Sequence, residues 1–156
     1  MISIEISNEQ QCVPIDTEQL QKTIKHVLHT CNIEEGTISI AVVDDTAIYA
    51  LKQQYYGKSQ VTDVLSFDLR EETANPPSDH ALDCEVVVNA QRAQQTSQER
   101  NQDAQAELNL YVVHGLLHQL GYDDQESRQA EIMHRKEDQL LEELGFGPAY
   151  SQAERR

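Results

Sequence analysis

The chain has 156 residues, of which 27 are acidic and 12 basic, for a formal net charge of −15. That length suits one domain with a real core, and the charge excludes a generally basic face for nucleic acid, leaving only a local patch or a metal ion bridging to phosphate. Cys12, Cys31 and Cys84 are odd in number and widely spaced, which fits packing residues in a reducing compartment, and with neither a signal pattern nor a membrane-length apolar run the default location is the cytoplasm.

In chain order, Ile2 to Ile6 alternates apolar and polar residues as an edge or half-buried strand does. Asp16, with Gln19 three positions on, opens a helix in which Leu20, Ile24, Val27, Leu28 and Cys31 recur at helical spacing. After Gly36, Thr37 to Val43 reads as a strand, and Asp44 and Asp45 are candidate caps for a short helix through about Tyr55. Val64 to Leu69 and Glu85 to Val88 read as an antiparallel pair separated by the Thr73 to Ser78 loop with Pro76 and Pro77. Ala90 to Glu107 is polar and rich in glutamine. It predicts a short helix, a loop and the solvent-facing start of a further helix. A last helix from about Gln125 to Leu144 carries Ala130, Met133, Glu137, Leu140, Leu141 and Leu144 at helical spacing and stops at Gly145. The order predicts an α+β fold, a small mixed β-sheet packed with several α-helices, with one domain over residues 1–146 and a C-terminal tail over 147–156.

Chemistry concentrates in His114-Gly115-Leu116-Leu117-His118-Gln119-Leu120-Gly121-Tyr122-Asp123-Asp124. Histidines four positions apart project from one helical face, and Gly121 breaks the helix so that Asp124 turns back toward them. Two histidines and one carboxylate leave positions open for water or substrate, as in catalytic zinc sites. The apolar neighbours Val112, Val113, Leu116, Leu117 and Leu120 make the segment a central, buried helix, where two unpaired imidazoles are costly. The spacing also matches the zinc-protease pattern H-E-x-x-H-x-x-G-x-x-H, but Gly115 stands where that pattern needs a glutamate as general base. A metal-dependent hydrolase of peptides or small molecules is therefore the weaker enzyme reading.

The same string resembles the signature of the YbeY family, H-G-x-L-H-x-x-G-Y-D-[H/D]. Thr62-Asp63-Val64-Leu65-Ser66-Phe67 is similar to that family's T-D-V-L-S-F, and Cys84 to Val88 to its G-[D/E]-I-V-I strand. The resemblance runs in order from about Ile2 to Gly145. It implies a metal-dependent endoribonuclease acting on single-stranded ribosomal RNA in rRNA maturation and ribosome quality control, with the small ribosomal subunit as partner and neither DNA nor membrane. It also implies one divalent ion per chain, Zn2+ by preference, on His114, His118 and Asp124. Two departures stand out: Asp124 replaces the usual third histidine, and Tyr56 the arginine before the Gly-Lys step, here Gly57-Lys58. Lys58 is the nearest cation, a point charge rather than a bidentate fork. Lys58, Ser66 and Tyr56 are the candidate substrate contacts, and no proton carrier is evident.

Each of these residues has a plainer role to set beside the functional one. Ser66 can be merely solvated or hydrogen-bonded to a neighbouring strand, Asp63 can cap a turn, and Tyr55, Tyr56 and Tyr122 can pack rather than stack on bases. His26 and His29 near a helix end, His80 in a loop and His134 on a charged helix face have no catalytic role assigned; Asp123 either orients a ligand or caps the last helix. A ribosome-assembly module in which the metal only fixes the fold is the non-enzyme alternative.

Overall fold

Alternation of Ile2, Ile4 and Ile6 with polar residues makes β1 (Ile2–Asn8) an edge strand with one face on the core. In a computed structural model, which describes residues 1–70 and 79–146, β1 pairs in parallel with β2 (Glu35–Val43). Between them, α1 (Thr17–Thr30) starts where the Asp16 side chain accepts from the Gln19 amide at 3.1 Å, and it buries Leu20, Ile24, Val27 and Leu28. The α2 helix (Asp45–Tyr56) has Asp44 as its cap, through a 3.0 Å bond from the Ala47 amide.

The sheet order is β1-β2-β4-β3, with β2 and β4 (Ala81–Asn89) parallel and β3 (Val64–Asp68) antiparallel to β4 at the far edge. The expected antiparallel pair is present, and β4 is longer than the Glu85 to Val88 run. Leu82 and Cys84 face the core between the outward Asp83 and Glu85, and an Asp83 carboxylate oxygen accepts the Thr37 amide at 2.8 Å. Charged residues on the solvent side thus belong to the strand. The Thr73 to Ser78 loop and the 147–156 tail lie outside the described residues.

Both sheet faces are covered. Ile38, Ile40, Val42, Leu82, Cys84, Val86 and Val88 meet the helices of the main core, while Ala41, Val43, Val87 and Leu65 meet Ile48 of α2. All three cysteines are free thiols, and burial pushes the Cys84 thiol up to about 12.

After β4 the chain enters α3 (Ala90–Arg100) directly, then α4 (Ala104–Gln119) and α5 (Ser127–Glu143). The start of α4 departs from expectation: Glu107 is buried and pairs with Arg100 at 3.8 Å, because α3 folds back over it. Leu108, Val112, Val113, Leu116 and Leu117 are fully buried, each contributing roughly 1.5–3 kcal/mol by leaving water. A helix apolar nearly all round has neighbours nearly all round. Asn109 bonds Thr23 of α1 at 2.6 Å, Gly115 lies on the sheet, and His114 bonds Glu137 of α5, so α4 is the central helix.

Gly115 sets the approach of α4 to the sheet. A Cβ there would lie 2.5 Å from Val86 Cγ1 and 3.2 Å from Val64 Cγ2. The position that carries the catalytic glutamate in zinc proteases is here pressed against β4 and β3.

Candidate metal centre and adjoining cleft

His114 and His118 lie one turn apart on α4, with ring centroids 4.7 Å apart and planes at 81°. Helix α4 stops in a left-handed turn: Gly121, at φ +102°, donates to the His118 carbonyl, and the Tyr122 amide to Leu117. This double bond pattern satisfies the last carbonyls and reverses the chain, which glycine allows without strain. Asp123 then accepts the amides of Asp124 and Gln125 at 2.7 and 3.3 Å. It holds the turn that presents Asp124. It does not cap α5, whose N-cap is Glu126 without a side-chain bond.

The result is a convergent donor set. Asp124 Oδ2 is 3.6 Å from His114 Nε2 and Asp124 Oδ1 is 3.5 Å from His118 Nε2, with one ligand atom of each residue within 4.8 Å of the others. These separations are long for hydrogen bonds, whereas donors about 2.0–2.2 Å from one tetrahedral zinc stand roughly 3.3–3.5 Å apart. The residues fit a single divalent ion. The side chains of His118 and Asp124 are about one-third exposed, which leaves the solvent side open, as in catalytic rather than structural sites.

Behind His114 lies a residue that the sequence placed at helical spacing with Met133 and Leu140 but gave no role. Glu137 is fully buried, and its Oε2 accepts from His114 Nδ1 at 2.6 Å. This bond fixes the ring so that the Nε2 lone pair faces Asp124. The other oxygen, Oε1, is buried without a hydrogen-bond partner among the described residues. Burial disfavours protonation of His114, but the Glu137 hydrogen bond and the charges of Glu137, Asp63 and Asp124 outweigh it and raise its pKa. A signal for Glu137 existed: it stands four residues after Met133 and three before Leu140, inside the apolar stripe.

Two of the three predicted substrate contacts, Tyr56 and Ser66, meet beside the last residue of α4. Gln119 Nε2 donates to Ser66 Oγ at 2.9 Å, and the Tyr56 hydroxyl donates to the Ser66 carbonyl at 3.3 Å. Tyr55 and Tyr56 are exposed and flank Phe67 at 5.2 and 6.1 Å, with Lys52 4.8 Å over the Tyr56 ring. Lys58 is exposed beyond the end of α2. Tyr122 packs against the core, and His26 pairs with Glu143 at 2.7 Å.

A cleft of about 200 Å³ opens beside His114, lined by Asp63, Arg92, Thr96, Arg100, Glu107 and Tyr111 among others. Asn89 ties its walls together. Its Oδ1 caps α3 at the Arg92 amide (3.2 Å), its Nδ2 donates to Asp45 (2.7 Å) and the Thr62 carbonyl (3.1 Å), and its amide donates to the Asp63 carbonyl (2.8 Å). Burial and the neighbouring Glu107 carboxylate push the Tyr111 phenol well above its ordinary range. Arg92 and Arg100 carried no motif that sequence reading could use.

A helix-borne pair of histidines, a carboxylate from the following turn and a buried carboxylate behind one histidine, all set on a four-stranded mixed sheet, define an α+β protein with a donor set that could hold a metal ion as hydrolases do. Comparison with known proteins gives the family. Residues 5–145 match the model of the endoribonuclease YbeY family. The endoribonuclease YbeY of Desulfitobacterium hafniense is 32% identical over 154 residues, covering 92% of this chain and 98% of that protein. That of Carboxydothermus hydrogenoformans is 36% identical over 144 residues, covering 91% and 97%. The solution structure of a Thermotoga maritima protein superposes with a TM-score of 0.62 at 26% identity, covering 90% of this chain and 88% of that one. The chain belongs to the endoribonuclease YbeY family, a family of RNA-cleaving hydrolases.

Proposed function

We propose that this protein is a metal-dependent endoribonuclease that hydrolyses single-stranded ribosomal RNA in the cytoplasm, in rRNA maturation and quality control on the small ribosomal subunit. The observation that carries the reading is the convergence of one ligand atom each from His114, His118 and Asp124 within 4.8 Å. A divalent ion held there, zinc by preference, supplies Lewis acidity toward a phosphoryl oxygen and lowers the pKa of a bound water. His114 and His118 each offer Nε2, Glu137 holds His114 in the orientation that makes this possible, and Asp124 adds negative charge. Tyr56, Lys58 and Ser66 contact the RNA backbone, Ser66 from beside Gln119, the last residue of α4.

Two observations weigh against the alternatives. Gly115 lacks the protease carboxylate, and its contact with Val86 leaves no room for one. The solvent-facing ligands argue against an ion that serves only to hold the fold.

The test is a double substitution, His114→Ala with His118→Ala, read by metal content, folding and cleavage of a single-stranded RNA. Loss of metal and cleavage with a retained fold is expected. Undiminished cleavage, or collapse of the fold, would overturn the reading in favour of another site or a structural ion.

A further inference from the structure

Resting on the ribonuclease reading, we propose that Arg92, with Arg100 beside it, forms a phosphate subsite that grips the RNA backbone next to the bond undergoing cleavage. The cleft between α3 and α4 opens on His114, and two of the chain's 12 lysines and arginines line it in a molecule carrying 27 acidic residues. Such local concentration is what an acidic protein needs to bind a polyanion.

Arg92 is half-buried, and among the described residues its guanidinium makes no hydrogen bond or ion pair; only its backbone amide is engaged, by the Asn89 cap. Its five donors are thus not committed to the protein, and the planar fork matches a phosphate edge. Arg100 is 3.8 Å from Glu107, a loose pairing that leaves donors for a second oxygen. Thr96 adds a hydroxyl on the same wall.

The acidic members of the cleft define what it selects. Asp63 and Glu107 line it together with the arginines, so a free phosphate ion meets both signs of charge and gains little. A phosphate tethered to another already held at His114, His118 and Asp124 has no separate association entropy to overcome, and the arginines then outweigh the carboxylates. The subsite therefore takes one phosphodiester of a continuous strand rather than inorganic phosphate. At about 200 Å³ the cleft is below the roughly 300–1,000 Å³ of sites for drug-sized ligands, a size that suits a single backbone phosphate.

Binding of a fluorescent, 2′-O-methylated single-stranded RNA to the zinc-loaded and metal-free protein, measured at several salt concentrations, tests this without relying on turnover. Arg92→Ala is expected to weaken binding roughly ten- to a hundredfold, the worth of a charge-assisted contact. The dependence of log affinity on log salt should become shallower by about 0.7, the value for one phosphate on a single strand. Arg92→Lys should restore the slope but only part of the affinity, and Arg135→Ala, on the exposed face of α5, should leave both unchanged. If the parent protein binds the RNA and Arg92→Ala binds it with the same affinity and slope, the subsite is refuted while the ribonuclease reading stands. If the parent protein neither binds nor cleaves single-stranded RNA, both fall together.

Discussion

His114 Nδ1 and Glu137 Oε2 are 2.6 Å apart, a bond between the central helix and the last helix that decides which imidazole nitrogen faces Asp124. Because Glu137 is wholly buried and its second oxygen is unpaired among the described residues, the arrangement carries an expense of about 1–3 kcal/mol that stability alone does not explain. Glu137→Gln keeps the size and one acceptor but loses the charge. We expect zinc affinity, measured by competition with a chelator, to fall roughly ten- to a hundredfold with the fold intact. Unchanged affinity would show that the bond is structural only.

The same bond sets a pH dependence. In the metal-free protein burial lowers the pKa of His114, yet Glu137, Asp63 and Asp124 together raise it above the ordinary value. A raised folded value means that the protonated histidine stabilises the fold. That contribution is complete below the unfolded value of about 6.5 and disappears as pH rises through the folded one. Metal binding runs the opposite way, since the ion requires neutral imidazole. Zinc affinity should therefore keep climbing above pH 6.5 while the metal-free melting temperature declines over the same interval. An affinity that levels off below pH 6.5 would contradict the raised value.

Gly115 makes a steric prediction. Overpacking of a filled core typically costs about 1–3 kcal/mol, against roughly 1 kcal/mol gained by removing glycine from a helix interior. A Cβ at 2.5 Å from Val86 Cγ1 places Gly115→Ala on the losing side by up to about 2 kcal/mol. In a Val86→Ala background the same change should be less harmful, because the clashing methyl is gone, and denaturant melts of the four proteins give the coupling directly. Equal losses in both backgrounds would mean that α4 shifts away from the sheet instead.

What the sequence disclosed follows from the range over which each signal acts. Caps at Asp16 and Asp44, the glycine stop at Gly121 and the alternation in β1 are local, and they appear where expected. The histidine pair was legible because i and i+4 share a helical face whatever the tertiary fold. Glu137 stood at helical spacing with Met133 and Leu140, but its role stayed hidden because the deciding fact, His114 on another helix, is tertiary. Arg92 and Arg100 were silent for the same reason: two arginines on a polar helix acquire meaning only when α4 closes one side of the cleft. Glu107 became buried through that same packing.

The two departures from the family pattern should separate experimentally. Asp124 approaches both Nε2 atoms within 3.6 Å from a turn held by Asp123, so a change there should act on the proposed metal site rather than on the proposed backbone contacts at Tyr56. A carboxylate donates more charge and discriminates less in favour of softer metals than an imidazole does. Asp124→His should raise the preference for zinc over manganese in a competition titration, and should leave RNA affinity of the metal-free protein near its starting value. Tyr56 lies instead against Ser66 and Lys52, and there Tyr56→Arg should strengthen RNA binding and steepen its salt dependence while metal selectivity stays put. If Asp124→His leaves the zinc-to-manganese ratio unchanged, Asp124 is not a ligand, and the centre consists of the two histidines with a donor from elsewhere.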